Sequence, residues 1–113
     1  MDEKSVNLKK EILGIITRSF KDRRISLGKI VLFGSFARNR QGEQSDIDLI
    51  IVSRDFRGKS LFKRVELTTG INLELVRKTR KPFELLYYSD LEWKKGDSVI
   101  ISAAKSEGEI IYG

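Results

Sequence analysis

Two short apolar runs with polar residues at one end of each constrain the fold of this chain more than any other feature. The first run is closed by Gly34 and Ser35. Ten residues later, Asp46 and Asp48 open the second run. Short apolar runs bounded by polar residues are typical of buried strands. The sequence therefore predicts one strand that ends in a small, phosphate-sized turn and another that begins with two carboxylates. This pairing indicates a site for a nucleoside triphosphate and its divalent metal ion.

The two aspartates are spaced to act together. Asp46 and Asp48 are two positions apart, and alternate residues of a strand point to the same face of a sheet. Two carboxylates about 6 to 7 Å apart repel each other, and removing them from water is costly. A bridging divalent cation offsets both effects. The alternative is that the aspartates only meet water, but the glycine–serine pair at this distance favours the metal site.

The turn after the first predicted strand has the properties of an anion site. Gly34 lets the backbone approach a phosphate without a Cβ in the way. Ser35 offers a hydroxyl and an N–H at the start of a short helix predicted over 36–39, where anions bind readily. Taken alone, Ser35 fits an ordinary N-cap better. Arg38 follows one turn later and either neutralises a leaving pyrophosphate or is a solvated surface arginine.

A third carboxylate is predicted on a third strand. Residues 71–78 alternate between leucines or isoleucine and other residues, which places Glu74 on the face opposite the leucines. A charged group in an apolar strand needs a partner. A position beside the strand of the two aspartates would bring Glu74 to the metal. Asn72 is the rival position on the same face, and a structural ion pair of Glu74 with Arg77 is the alternative.

The rest of the chain reads as helices and strands within one domain. The length of 113 residues predicts a single domain, residues 1–113. The periodicity predicts helices over 5–20, 60–69, 83–88 and 91–105, and strands over 29–34, 46–53 and 109–112.

Composition narrows the chemistry. The chain contains no cysteine and no histidine, so a metal ion would be held by oxygen ligands, which favours Mg²⁺ or Mn²⁺. The net charge of +6 attracts polyanions such as nucleic acid, although a lysine-rich solvated surface explains most of these residues as well. No apolar run approaches the roughly 20 residues that span a bilayer, and the charged N-terminus does not resemble a signal peptide. We expect a cytoplasmic protein without a membrane partner.

The motif resembles a known signature. Gly34 and Ser35, the ten-residue spacer and the pair Asp46 and Asp48, preceded by Ser45, are similar to the signature of the polymerase-β-like nucleotidyltransferase superfamily. The similarity is strongest to the minimal nucleotidyltransferases of prokaryotes and covers roughly residues 29–90. It implies an α/β fold of the α+β type, in which a small mixed β-sheet is flanked by helices.

The resemblance also implies roles for individual residues. Asp46, Asp48 and Glu74 would be the catalytic metal ligands, and the last of these would act on the acceptor hydroxyl. The family's usual third residue is an aspartate, which is shorter than glutamate by one methylene. The nucleotide-binding set would comprise Gly34, Ser35, Arg38 and Ser45.

The implied reaction is transfer of a nucleoside monophosphate, with ATP as the expected donor, to a hydroxyl group with release of pyrophosphate. Members of this size often act as antitoxins beside a helical HEPN-type toxin, and in such pairs the nucleotidyltransferase adenylylates its partner. Two other interpretations stay open: a non-catalytic nucleotide-binding subunit of a two-protein complex, and a protein that modifies or binds nucleic acid. A homo-oligomer is compatible with each of them.

Overall fold

A four-stranded mixed sheet organises the computed structural model, which describes residues 3–34 and 46–113. Within these residues the strands are β1 (Lys29–Phe33), β2 (Ile47–Val52), β3 (Phe83–Tyr88) and β4 (Glu109–Tyr112). β1 lies antiparallel to both β2 and β4, whereas β2 and β3 are parallel. The strand order is therefore β3-β2-β1-β4, and the expected small mixed sheet is confirmed.

Helices cover both faces of this sheet. In the described part of the chain they are α1 (Glu3–Asp22), α2 (Leu61–Leu67), α3 (Ile71–Thr79), α4 (Asp90–Lys95) and α5 (Val99–Glu107), with a short 3-10 turn at Arg54–Phe56. The buried residues of α1 and α3 pack together on one face of the sheet. Those of α4 and α5 pack on the other face. The expected arrangement of a sheet flanked by helices is thus confirmed.

The first helix shows why the larger core forms. Ile12, Ile16 and Phe20 recur every four residues and are at most 1% exposed, because this spacing places them on one side of the helix. They belong to the same cluster as Ile30 of β1 and Leu75 of α3. The helix predicted at the start of the chain is therefore confirmed, and its apolar side anchors the first face of the sheet.

Alternate residues of β2 pack against different pairs of helices. Ile47, Leu49 and Ile51 pack in the core beneath α1 and α3, whereas Ile50 and Val52 pack beneath α4 and α5. Successive side chains of a strand point to opposite faces, so Asp48 shares the face of α4 and α5. It is partly exposed and lies near the start of β2.

The predicted secondary structure is wrong for two segments: the predicted strand is a helix, and the predicted helix is a strand. Residues predicted as a strand over 71–78 form helix α3, and residues predicted as a helix over 83–88 form strand β3. Ile71 and Leu75 are fully buried at i and i+4, so the leucine-rich pattern serves helical packing. In β3, Phe83 and Tyr87 join one core and Leu86 joins the other, which is the two-sided pattern of a strand covered on both faces.

The helix predicted over 91–105 is interrupted. Gly96 adopts a left-handed conformation with φ 69° and caps α4, and Ser98 then caps α5 by accepting hydrogen bonds from the backbone of its first turn. A glycine in this conformation is the usual end of a helix. The strands predicted near 29–34, 46–53 and 109–112 and the helix near 60–69 are confirmed within two or three residues at each end. The helix predicted over 36–39 lies outside the described residues.

A buried arginine on α2 forms hydrogen bonds with β3 and α4. Arg64 on α2 is 8% exposed. Its guanidinium donates to the carbonyl oxygens of Lys59 and Tyr87 at 2.9 and 3.0 Å and to Oε1 of Glu92 on α4 at 2.7 Å. The same oxygen accepts the backbone N–H of Ser89 at 2.7 Å. Burial tends to raise the pKa of Glu92, but the hydrogen bonds from Arg64 and Ser89 outweigh burial and lower it.

No helix in the described ranges 3–34 and 46–113 is both long enough and apolar enough to cross a membrane.

We predict that Arg64→Ala lowers the free energy of unfolding by about 2 to 4 kcal/mol, because it leaves a buried carbonyl and the Glu92 carboxylate without their donor. Urea denaturation at neutral pH measures this change. Lys63→Ala is the matched control: Lys63 forms an exposed ion pair with Glu66 on the same helix, and its loss should change stability by less than about 0.5 kcal/mol. Equal effects of the two variants would contradict the role assigned to Arg64.

Candidate active site

The parallel pairing of β2 with β3 places two carboxylates side by side. Asp48 on β2 is the register partner of Glu84 on β3. Paired residues on adjacent strands share a face, and the strands are about 4.8 Å apart. Both side chains therefore lie on the face of α4 and α5, one residue inside the end of the sheet where β2 and β3 begin.

The proximity of the two carboxyls changes the acidity of one of them. Partial burial raises the pKa of Asp48 to about 6, assisted by the charge of Glu84, by a side-chain hydrogen bond between the two groups and by the charge of Asp46. Burial acts here against the charged form, and the neighbouring carboxylates act in the same direction. A site that holds its acidic groups together in this way attracts a cation.

Gly34 closes the site from the adjacent strand. Phe33 of β1 is the register partner of Asp48, so the next residue lies against the carboxylate. A Cβ at position 34 would stand 2.2 Å from Oδ2 of Asp48, far inside van der Waals contact. The backbone φ of 77° is also unfavourable for any residue with a side chain. Both constraints restrict this position to glycine.

Asp46 lies at the mouth of the same site. It precedes β2 and is exposed. The start of its strand is fixed by the hydrogen bond from the backbone N–H of Ile47 to the carbonyl oxygen of Pro82, at 2.8 Å. Its charge contributes to the raised pKa of Asp48. The two aspartates predicted as a pair are thus electrostatically coupled, with Asp48 inside the site and Asp46 in solvent at its edge.

Glu74 is not brought to the aspartates. It lies on α3, not on a strand, and forms an ion pair with Arg18 of α1. Helices α1 and α3 cover the opposite face of the sheet from Asp48. Asn72, the rival position, is also on α3, and its side-chain amide donates to the carbonyl oxygen of Phe83 at 3.2 Å. The prediction that a strand carries Glu74 to the side of Asp48 is therefore wrong.

The sequence analysis misses Glu84 because it predicts a helix over residues 83–88. A signal was present: Phe83, Leu85 and Tyr87 alternate with Glu84, and aromatic residues favour strands. The segment also follows the single proline of the chain, which is common at the first residue of a strand. Read as a strand, it would have placed an acidic residue at the start of an otherwise apolar run, as β2 does.

The remaining residues of the predicted site lie outside the described part of the chain. Ser35, Arg38 and Ser45, predicted to bind the nucleotide, fall between the two described ranges. Their roles stay predictions.

The donors that the structure brings together suit a hard divalent cation. Asp48 and Glu84 offer only carboxylate oxygens, the ligands that Mg²⁺ and Mn²⁺ prefer. Within the described residues, no three acidic side chains are already grouped closely enough to form a complete metal site. Asp48 and Glu84 instead share a hydrogen bond, and the charge of exposed Asp46 acts on Asp48.

A family model covers most of the chain. Residues 10–108 match the model of the nucleotidyltransferase domain, so the chain belongs to the nucleotidyltransferase domain family. The predicted membership of this group is confirmed. No curated protein sequence matches the chain significantly.

Solved structures with the same fold include several toxin–antitoxin complexes. One, a toxin–antitoxin with AMP-PNP, has a TM-score of 0.62 and 22% identity, covering 88% of this chain and 72% of the other. A mutant of the toxin–antitoxin MntA-HpeT has a TM-score of 0.59 and 19% identity, with 87% and 70% covered. A tri-AMPylated Shewanella oneidensis HEPN toxin in complex with its MNT antitoxin has a TM-score of 0.55 and 19% identity, with 93% and 72% covered. At these identities the likeness supports the fold.

We predict that Asp48→Asn stabilises the protein at high pH in the absence of divalent cations. The pKa of Asp48 is about 6 in the folded protein against 3.8 for the ordinary group, so ionisation of Asp48 opposes folding as the pH rises from about 4 to above 6. At pH 8 the free energy of unfolding of the variant should exceed that of the wild type by about 1 to 2 kcal/mol, a value reduced because Asp48 is partly exposed to solvent. Below pH 4 the ionisation of Asp48 should make no difference.

Urea denaturation of both proteins across this pH range, with chelator present, measures the difference. Asp97→Asn is the matched control, because Asp97 is an exposed aspartate that pairs with exposed Lys95. A stability difference between wild type and Asp48→Asn that is constant over pH 4 to 8 would contradict the acidic cluster.

Proposed function

We propose that this protein transfers AMP from ATP to a hydroxyl group on a HEPN-type protein partner, as the antitoxin of a two-protein system. The observation that carries the proposal is the apposition of Asp48 and Glu84 on parallel strands, with Gly34 packed against the carboxylate of Asp48. This is where the sequence motif places the triphosphate and its metal. Membership of the nucleotidyltransferase domain family supports the reaction class.

Each residue of the site has a separate task in this proposal. Gly34 leaves room for the carboxylate of Asp48 beside the strand end, and its bare backbone could contact a phosphate. Asp46 and Asp48 hold the divalent cation that accompanies the triphosphate. Glu84 replaces Glu74 as the third carboxylate and would accept the proton of the attacking hydroxyl.

The acidic residues fit a magnesium ion. Asp46, Asp48 and Glu84 would hold it, and its chemistry there would be to stabilise the negative charge of the attacking and leaving oxygens. The chain's own contribution is to bring these carboxylates together at the end of a rigid sheet. Burial, and then repulsion by the neighbouring carboxylates, raise the pKa of Asp48, and a bound cation would offset both effects.

The choice of ATP and of a protein acceptor rests on the structurally similar complexes. One of them binds AMP-PNP, and in another the HEPN toxin carries AMP groups. Those properties belong to proteins with 22% and 19% identity to this chain. For this protein they support a proposal about donor and acceptor that a transfer assay can test.

We predict that Glu84→Gln lowers the rate of AMP transfer at least about hundredfold, since the acceptor loses its base and the metal loses a ligand. Glu74→Gln should leave the rate per folded molecule unchanged and lower only thermal stability, because Glu74 pairs with Arg18 on the opposite face. Transfer of labelled AMP from ATP to a candidate HEPN-type protein measures the rates. Calorimetric titration with ATP and magnesium should show binding by both variants.

Glu84→Asp is the conservative variant and should retain measurable transfer, because it keeps a carboxylate at the same strand position. Loss of transfer in Glu74→Gln with normal transfer in Glu84→Gln would overturn the assignment. If the wild type binds ATP but transfers no AMP, the protein is a non-catalytic nucleotide-binding subunit and not the proposed enzyme.

A further inference from the structure

A concentrated group of positive charges lies beside the candidate active site. Arg77, Lys78, Arg80 and Lys81 occupy the end of α3 and the connection to β3. None of them forms a salt bridge with an acidic side chain in the ranges 3–34 and 46–113, whereas Arg18, Arg57 and Arg64 elsewhere do. Two of the four, Arg77 and Lys78, complement the dipole of α3 as last-turn residues. Arg80 and Lys81 lie beyond the helix and have no such explanation.

Three of these four cationic residues line a groove whose apolar floor consists of Val76 and Pro82. The groove has a volume of about 810 Å³ and is lined by Val76, Arg77, Arg80, Lys81 and Pro82. Arg80 adopts a left-handed conformation with φ 60° and donates its backbone N–H to Val76, which turns the chain sharply from α3 into β3. This turn brings Arg80 and Lys81 next to Val76 and Pro82 in the lining of the groove.

The groove is next to the start of both site strands. The carbonyl oxygen of Pro82 accepts the backbone N–H of Ile47 at 2.8 Å, and Ile47 separates Asp46 from Asp48. Glu84 follows two residues after Pro82. An extended chain advances about 3.3 Å per residue, so a bound segment needs only a few residues to pass from the groove to the carboxylates.

The lining favours a protein segment over a nucleic acid. No aromatic side chain is among the described residues that line the groove, so it offers no surface for stacking a base. Its apolar floor would instead cover the aliphatic side chains of a peptide, and its rim would pair with carboxylates.

We propose, on the basis of the function proposed above, that this groove is the docking site for an acidic, partly apolar segment of the protein that carries the acceptor hydroxyl. The positive rim attracts the segment and fixes its direction, and Val76 and Pro82 contact its apolar residues. The acceptor hydroxyl then reaches the carboxylates from the side of β3. Because the groove is positively charged, the acceptor protein must carry negative charge near the modified residue.

The test compares two charge-reversal variants of the full chain. Arg77→Glu with Lys81→Glu reverses the groove and leaves the strained Arg80 unchanged. Lys21→Glu with Lys94→Glu is the control, because these are exposed last-turn lysines of α1 and α4 and the change in net charge is equal. Fluorescence anisotropy measures binding of a labelled peptide of glutamate and leucine with one tyrosine. An equivalent lysine peptide and an oligouridylate of the same length are the comparison probes.

We predict that the acidic peptide binds the wild type, that the groove variant binds it about tenfold more weakly, and that the control variant differs by less than about twofold. Calorimetry with ATP and magnesium should give the same affinity for all three proteins, so failure of the nucleotide site would be recognised separately. Equal peptide binding by both variants, no binding by the wild type, or preference of the groove for oligouridylate or the lysine peptide would overturn the proposal.

Discussion

The register between β2 and β3 is the constraint on which the site depends. Because these strands are parallel and in register from Ile47 and Phe83 onwards, Asp48 and Glu84 share one face and one level of the sheet. A shift of one residue would turn either carboxylate toward the opposite core. The antiparallel pairing of β1 with β2 then brings Gly34 against Asp48. Three separate segments thus meet at one sheet end through backbone hydrogen bonding.

The two faces of the sheet differ: one carries the larger core, and the other carries the candidate site. The face beneath α1 and α3 carries the larger core, and Glu74 belongs to its periphery through Arg18. On the other face, residues of α4 and α5 pack against Ile50 and Val52. Asp48, near the start of β2 on that side, is partly exposed, and a polar group is tolerated there because solvent can reach it. The larger core and the candidate site therefore lie on opposite faces of the same strand.

Several features could be predicted from the sequence because they depend on local patterns. The strand around Ile50, the helix around Ile16 and the glycine at position 34 follow from apolar runs, helical spacing and the motif. The carboxylate beside Asp48 is less well determined by the sequence, although the alternation of apolar residues around Glu84 is a strand signal. The segments containing Glu74 and Glu84 are short, and each fits both the helical and the strand period. Their types are decided by tertiary pairing, since β2 offers a partner edge to residues 83–88 while the surface beneath α1 accepts Ile71 and Leu75.

Paramagnetic broadening by Mn²⁺ is the most direct test of the central claim, that Asp48 and Glu84 hold the metal of the bound nucleotide. Substoichiometric Mn²⁺ added with ATP to isotopically labelled protein should broaden the amide signals of Gly34, Asp48 and Glu84 first. The signals of Arg18 and Glu74, on the other side of the sheet, should remain sharp at the same concentration. Early broadening at Glu74 with sharp signals at Glu84 would contradict the account.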